Sequence, residues 1–276
     1  MRCKSCNIRG AICSTPAHSS NVLAHRISIS SRVSLAAFPS YQTNNNIQIE
    51  YTAKEKREKE MPFELLPADP TDSPALTTVF LSAFSSPFNQ RLFPRTPDVI
   101  TYWTAQFTSF INNPHKAVLK ITNSEDGSIV AFAVWQLPVP SSPEDVHLKH
   151  SHSPPHSHAH AQAGDEHPYP ASSDRELCEV FFGGMEEMKK RIMGSRPHYY
   201  LEMLGTRPEY AGQGLASKLL RWGLERADEV GLETYLSASP AGRPLYEKFG
   251  FRVVEEREVV AGYVQGYMLR AGRVAN

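Results

Sequence analysis

Residues 198–238 place four patterns in immediate succession: a strand, a turn with two glycines one residue apart, a long amphipathic stretch, and a second strand. They read HYYLEMLGT, RPEYAGQG, LASKLLRWGLERADEVG and LETYLSA. Leu215, Leu219, Ala227 and Val230 recur at helical spacing behind the glycines. A glycine turn that opens a helix has the mechanics of a phosphate site. The N–H groups of the first turn lack helical partners, and the helix dipole favours an anion beside them. Gly212 and Gly214 let the backbone approach a bulky pyrophosphate, and the small Ala216 keeps the first turn open.

Two commoner phosphate motifs do not fit. An ATP loop needs Lys-Ser or Lys-Thr directly after its final glycine, whereas Gly214 is followed by Leu215-Ala216-Ser217-Lys218. A dinucleotide fingerprint follows its strand directly, but here RPEYA intervenes. The acidic residue near the expected distance, Glu233, starts the next strand instead of ending it. The residues therefore predict a pyrophosphate held by backbone N–H groups without a lysine clamp.

The remaining pattern sets the fold class. PFELLPA suits a first strand, Ser73-Pro74 starts a helix running to about Phe84, and Thr96-Pro97 starts another. Ile100, Trp103, Phe107 and Ile111 mark one face of that second helix. KAVLKIT and IVAFAVWQL flank Glu125-Asp126-Gly127-Ser128 as a hairpin. Leu177, Phe181, Met185, Met188 and Ile192 mark a helix from Asp174 to Met193. RPLYEKF is a short helix closed by Gly250, and FRVVEEREVV and YVQGYMLRA are the last strands. Strands alternating with helices around one hairpin predict an α/β fold: a single domain with a mixed sheet covered by helices on both faces.

Composition bounds the partners and the ends. The 276 residues carry 29 Lys plus Arg against 29 Asp plus Glu, so charge gives no argument for nucleic acid or an anionic membrane. No apolar run approaches the ~18 residues that span a bilayer. Cys3, Cys6 and Cys13 crowd the N-terminus and Cys178 stands alone, which is no disulfide framework. Cys3-x-x-Cys6 has no second pair, so no metal site is expected there. Residues 1–49 lack Asp and Glu and hold five Lys or Arg, a transit-like composition, and YTAKEKREKE follows as a solvated charge run. Residues 1–60 are therefore expected to be a disordered or transit-like extension, with the folded domain at 61–276. A cytoplasmic location is expected, or a mitochondrial one if the extension is a true transit peptide. Residues 138–173 hold seven of the eleven His without apolar periodicity and read as a low-complexity insertion.

The stretch LEMLGTRPEYAGQGLASKLL, followed by ETYLSAS and RPLYEKFGF, resembles the GNAT family of N-acetyltransferases, and its fungal members in particular. The family's pyrophosphate turn reads Gln or Arg, two residues, Gly, one residue, then Gly or Ala. Gly214 and Ala216 match, and Ala211 stands in place of the leading Gln or Arg. The resemblance runs from about Met61 to Arg270 around the His-rich insertion. It implies acetyl-CoA as cosubstrate, with its pyrophosphate on the N–H groups of Gln213 to Ser217. It also implies that the fourth strand bulges away from the fifth, with Gly205 as the expected bulge. Pantetheine would then pair with Met203, Leu204, Gly205 and Thr206, and the Leu204 N–H would polarise the thioester carbonyl.

Acetyl transfer needs a proton acceptor for the amine and a donor for the leaving thiolate. Tyr246 matches the family position that protonates the thiolate; the alternative is a buried core tyrosine. Glu202 and Tyr200 share a strand face, and only the carboxylate accepts a proton near neutral pH, so Glu202 is the candidate base. Its alternative is a solvated strand carboxylate. Ser239 lies where many family members carry Asn near the thiol, and Asp228 reads as helix surface. The acceptor groove implied by the resemblance offers Phe88, Phe93, Trp103, Tyr263 and Arg91. The expected activity is direct acetyl transfer to a small amine. A non-catalytic acyl-CoA-binding or regulatory module with the same fold is the alternative, motivated by Ala211 and the insertion.

Overall fold

The computed structural model describes residues 62–139 and 167–273. The expected N-terminal extension, its three cysteines and most of the His-rich tract lie outside the described residues. Seven strands form one sheet in the order β1-β2-β3-β4-β5-β7-β6. They are β1 (Phe63–Pro67), β2 (Lys116–Asn123), β3 (Ile129–Gln136), β4 (His198–Thr206), β5 (Glu233–Ala238), β6 (Arg252–Val260) and β7 (Tyr263–Arg270). The helices are α1 (Ser73–Ala83), α2 (Pro87–Leu92), α3 (Pro97–Asn112), α4 (Arg175–Met193), α5 (Leu215–Glu229) and α6 (Arg243–Lys248). Every pairing is antiparallel except β4 with β5, which α5 joins as a crossover. The expected mixed α/β sheet, with helices on both faces, is what forms.

Three proline-opened helices, α1, α2 and α3, bring an aromatic cluster onto one face of the sheet. Phe80 lies at its centre, with ring centroids 4.3 Å from Trp103 and 4.8 Å from Phe93. Phe132 and Val134 of β3 and Leu177, Cys178 and Phe182 of α4 complete this half of the core. On the opposite face α5 buries Leu215, Leu219, Leu220, Leu224 and Ala227 against Trp135, Leu201 and Leu236. β3, almost wholly buried, serves both faces.

Several local expectations shift. Ile100 is exposed, and the buried face of α3 is Val99, Trp103, Gln106, Phe107 and Phe110. The core approaches that helix from one side of the expected stripe. Val230 is also exposed, because α5 has ended there. Residues 167–173, assigned by composition to the insertion, are packed: the Tyr169 ring stacks on Phe182, and the Ser172 N–H donates to Asp98. Asp228 is not free helix surface, since Arg270 grips both its oxygens at 2.7 Å and ties α5 to β7.

The β4 bulge is not at Gly205. Val134 of β3 pairs with Met203 and Trp135 pairs with Leu201, so Glu202 is the extra residue. Gly205 is in register with Phe132, and it is required for a different reason. A Cβ at that position would lie 2.6 Å from the Phe132 ring. Gly205→Ala is therefore expected to destabilise the protein by ~1–3 kcal/mol through overpacking. At this size that is a fall of roughly 2–4 °C in Tm per kcal/mol. A melting curve unchanged from wild type would contradict the close contact.

Candidate active site

The bulge at Glu202 coincides with the end of pairing between β4 and β5. The two strands match from His198↔Glu233 to Leu201↔Leu236 and then part. On its other edge β4 stays paired to β3 as far as Thr206, and the Arg207 N–H donates to Val130 at 2.9 Å. Backbone groups alternate along an antiparallel strand. Leu204 and Thr206 therefore turn their N–H and C=O groups away from β3, into the opening. The structure thus places the expected Met203–Thr206 segment with a free edge.

The glycine turn stands at the end of this opening. Gly212 and Gly214 have φ of +78° and +79°, a region that L side chains rarely enter, and a Cβ on either would meet nothing within 4 Å. The space a side chain would take at either glycine is open. The first bond into α5 runs from the Lys218 N–H to the Gly214 carbonyl, at 3.0 Å. The N–H groups of Leu215, Ala216 and Ser217 therefore lack helical partners. The turn is anchored from behind: the Tyr210 ring packs edge-on against Phe63, and Lys218 Nζ donates to the Phe63 carbonyl at 3.1 Å. Lys218 is thereby committed to β1, and anion-binding capacity rests with the backbone from Gln213 to Ser217.

A cavity of roughly 1000 Å³, counted out to its open mouth, lies where the strands part. Met203 and Leu204 line it from β4, Ser237 and Ser239 from the end of β5, and Tyr246 from α6. A Cβ built on Gly242 would sit 3.2 Å from Tyr246 Cε2, 3.3 Å from Ser239 Oγ and 3.7 Å from the Tyr246 hydroxyl. Those two hydroxyls therefore flank one bare stretch of backbone. Ser239 Oγ accepts the Gly242 N–H at 3.2 Å and so also shapes the entry to α6. Tyr246 is 9% exposed, and burial holds its phenol well above the ordinary value, so it stays protonated.

Glu202 lines the same cavity and is not a solvated carboxylate. Its side chain is 6% exposed and its Oε2 is paired with Lys116 of β2, which is 9% exposed and stands 4.3 Å from the centre of the Phe110 ring. The second oxygen, Oε1, is buried with no partner among the described residues. Tyr200 lies close by, and burial, reinforced by the Glu202 charge, pushes its phenol far up. Tyr200 thus remains neutral beside the Glu202 carboxylate.

Of the expected groove residues, Phe93, Trp103 and Tyr263 line the cavity. Phe88 backs it, stacked on Tyr263 at 3.7 Å. Arg91 does not reach it and is tied to Asp174 instead. Gln265, at the end of the 260–265 stretch that the resemblance also assigns to the groove, lines it too, whereas Lys116, Phe84, Phe181 and Glu186 escape sequence reasoning as site residues. Their strands and helices carry no motif, and only the sheet order brings them to the opening.

The ion pair makes a stability prediction. Lys116→Met leaves the Glu202 carboxylate buried without its cation and should cost about 3–5 kcal/mol. Adding Glu202→Leu to it should recover most of that loss, because the stranded charge is then gone. Chemical denaturation of the two variants measures both. A single variant as stable as wild type would mean that the pair holds no buried charge.

Comparison with known proteins gives this geometry its context. A profile of the Acetyltransferase (GNAT) family matches residues 76–251. The uncharacterized N-acetyltransferase YafP of Escherichia coli is 32% identical over 65 residues, which are 24% of this chain and 41% of that protein. The chain thus matches less than half the length of that relative. Among solved structures, an agmatine N-acetyltransferase mutant in its apo form aligns with a TM-score of 0.51 at 14% identity, over 76% of this chain and 99% of that one. The C-terminal condensation domain of Ebony, in complex with beta-alanyl-dopamine, aligns with a TM-score of 0.50 at 10% identity over the same shares. At these identities the structures speak for the fold. With the family profile spanning more than half of its residues, from α1 to the start of β6, this chain belongs to the GNAT acetyltransferase family, whose cosubstrate is acetyl-CoA.

Proposed function

We propose that the chain is an acetyl-CoA-dependent N-acetyltransferase that acts on a small amine by direct acetyl transfer. The observation that carries this reading is the convergence of a protonated phenol, Tyr246, and a buried carboxylate, Glu202, on one cavity at the parting of β4 and β5. The backbone N–H groups from Gln213 to Ser217 hold the pyrophosphate, and the free edge of β4 from Met203 to Thr206 pairs with the pantetheine amides. The acetyl group then lies in the cavity. The Leu204 N–H, aimed into the opening, stabilises charge on the thioester oxygen.

Glu202 Oε1 takes the proton from the incoming ammonium or amine, while Lys116 occupies the other oxygen. The amine nitrogen forms the C–N bond as the C–S bond breaks. Tyr246 delivers its proton to the departing thiolate, and Ser239 hydrogen-bonds beside it. The acceptor is taken as small because it must share the cavity with the acetyl end of the cosubstrate. An agmatine N-acetyltransferase among the similar folds is in keeping with an amine acceptor. The likeness to fungal members rests on the sequence resemblance alone.

Tyr→Phe at 246 separates chemistry from packing. It keeps the ring and removes only the hydroxyl. The variant should bind acetyl-CoA as wild type does in isothermal titration. Its acceptor-dependent CoA release should fall by at least ~100-fold in kcat, the lower end of general acid catalysis. Wild-type kcat with a lowered Tm would assign Tyr246 to the core. Acetyl-CoA binding without CoA release from any amine, by the wild-type protein, would favour the non-catalytic module.

A further inference from the structure

The cavity's electrostatic character is one-sided. Among the described residues, its twenty lining residues include no Lys, Arg or His and two glutamates, Glu202 and Glu186. Each glutamate is already paired with a cation, Lys116 on Glu202 and Lys189 on Glu186. The lining side-chain atoms that are buried without a partner are acceptors: Glu202 Oε1, and the Oε1 of Gln265, a residue only 2% exposed. The donors that face the space, such as Asn89, Ser237 and Tyr246, are neutral. Nine of the twenty lining residues are aromatic. Tyr263 is fixed in place by Phe88 stacked on it at 3.7 Å and by Phe181 at 6.3 Å, edge-on.

Resting on the acetyltransferase reading, we propose that the acceptor is an amine with an aryl or similarly broad apolar body and no anionic group. Its ammonium is drawn to the free Glu202 oxygen. Its body lies against the aromatic walls, where ring faces favour both aryl stacking and a nearby cation. A carboxylate or phosphate on the acceptor would have to leave water for a space whose unpartnered side-chain atoms are acceptors and whose adjoining lysines are already paired with glutamates. That desolvation is uncompensated. The pocket therefore selects decarboxylated amines against the amino acids from which they differ by one group. It also disfavours acceptors that are polar along their whole length, which leave the aromatic wall uncovered.

Matched pairs test this on the full chain. Phenethylamine against phenylalanine, and tryptamine against tryptophan, differ only in the carboxylate; spermidine and a peptide N-terminus serve as polar acceptors. With acetyl-CoA fixed and CoA release followed by thiol reagent, each amine should exceed its amino acid in kcat/KM by at least ~100-fold. It should also exceed spermidine and the peptide. Glu186→Arg, which puts a cation at the mouth, should shrink the amine-to-amino-acid ratio by about tenfold or more. Parity between the members of a pair, or a preference for the amino acid, the peptide or spermidine, overturns the proposal while leaving acetyl transfer standing. CoA release with none of these acceptors overturns the acetyltransferase reading, and this proposal with it.

Discussion

The parting of β4 from β5 after Leu201 and Leu236 is the constraint on which the rest of the structure depends. A sheet that stops pairing in its middle exposes backbone N–H and C=O groups that ordinarily must be satisfied. Here the break is built in by one extra residue. The bulge at Glu202 lets β4 stay in register with β3 as far as Thr206 while its other edge leaves β5. α5 bridges the same two strands on one face, and α6 follows directly from the end of β5. A free strand edge and the Tyr246 phenol thus meet at the cavity, and the chain leaving that edge leads through the glycine turn to a helix N-terminus with open N–H groups.

The bulge also explains why a charge is found in the interior. Glu202 is added to the strand beneath the helices that cover the sheet, so its carboxylate is largely withdrawn from water and meets only the cavity. Lys116, two strands away in sheet order, supplies the counter-charge. A buried pair of this kind is weak as a source of stability, since desolvation offsets much of the attraction. Its persistence fits a use for the second oxygen, which the pairing with Lys116 leaves unengaged. The aromatic cluster of α1, α3 and α4 then serves two ends. Deep in the fold Phe107 and Phe132 are core, Phe80 reaches from the core to the cavity, and toward the opening Phe84, Phe181 and Tyr263 become wall.

Much of this was legible in the sequence where the signal is local. The glycine turn, the helix behind it and the flanking strands were readable because positive φ and helical periodicity leave marks within a few residues. Both glycines take positive φ, and Lys218 turns away from the turn, as the missing clamp required. What escaped depends on contacts between distant segments. Gly205 looked like a bulge because glycine in a strand often marks one; its cause is the Phe132 ring on the neighbouring strand. Lys116 carried no motif, because its partner is chosen by sheet order alone. The expected face of α3 does bury Trp103 and Phe107, but the core also reaches Val99 and Gln106 and leaves Ile100 outside. Residues 167–173 carry the composition of the tract before them, yet Tyr169 finds a stacking partner in Phe182.

The central claim is that one ligand spans the glycine turn and the free edge of β4. Amide hydrogen exchange of the full chain, with and without acetyl-CoA, tests it residue by residue. Slowed exchange is expected at Leu204 and Thr206, whose N–H groups face the opening, and across Gln213 to Ser217. The Gly205 amide, already directed at β3, should change far less. Protection at the turn with none at Leu204 or Thr206, or protection elsewhere in the chain alone, would contradict the account.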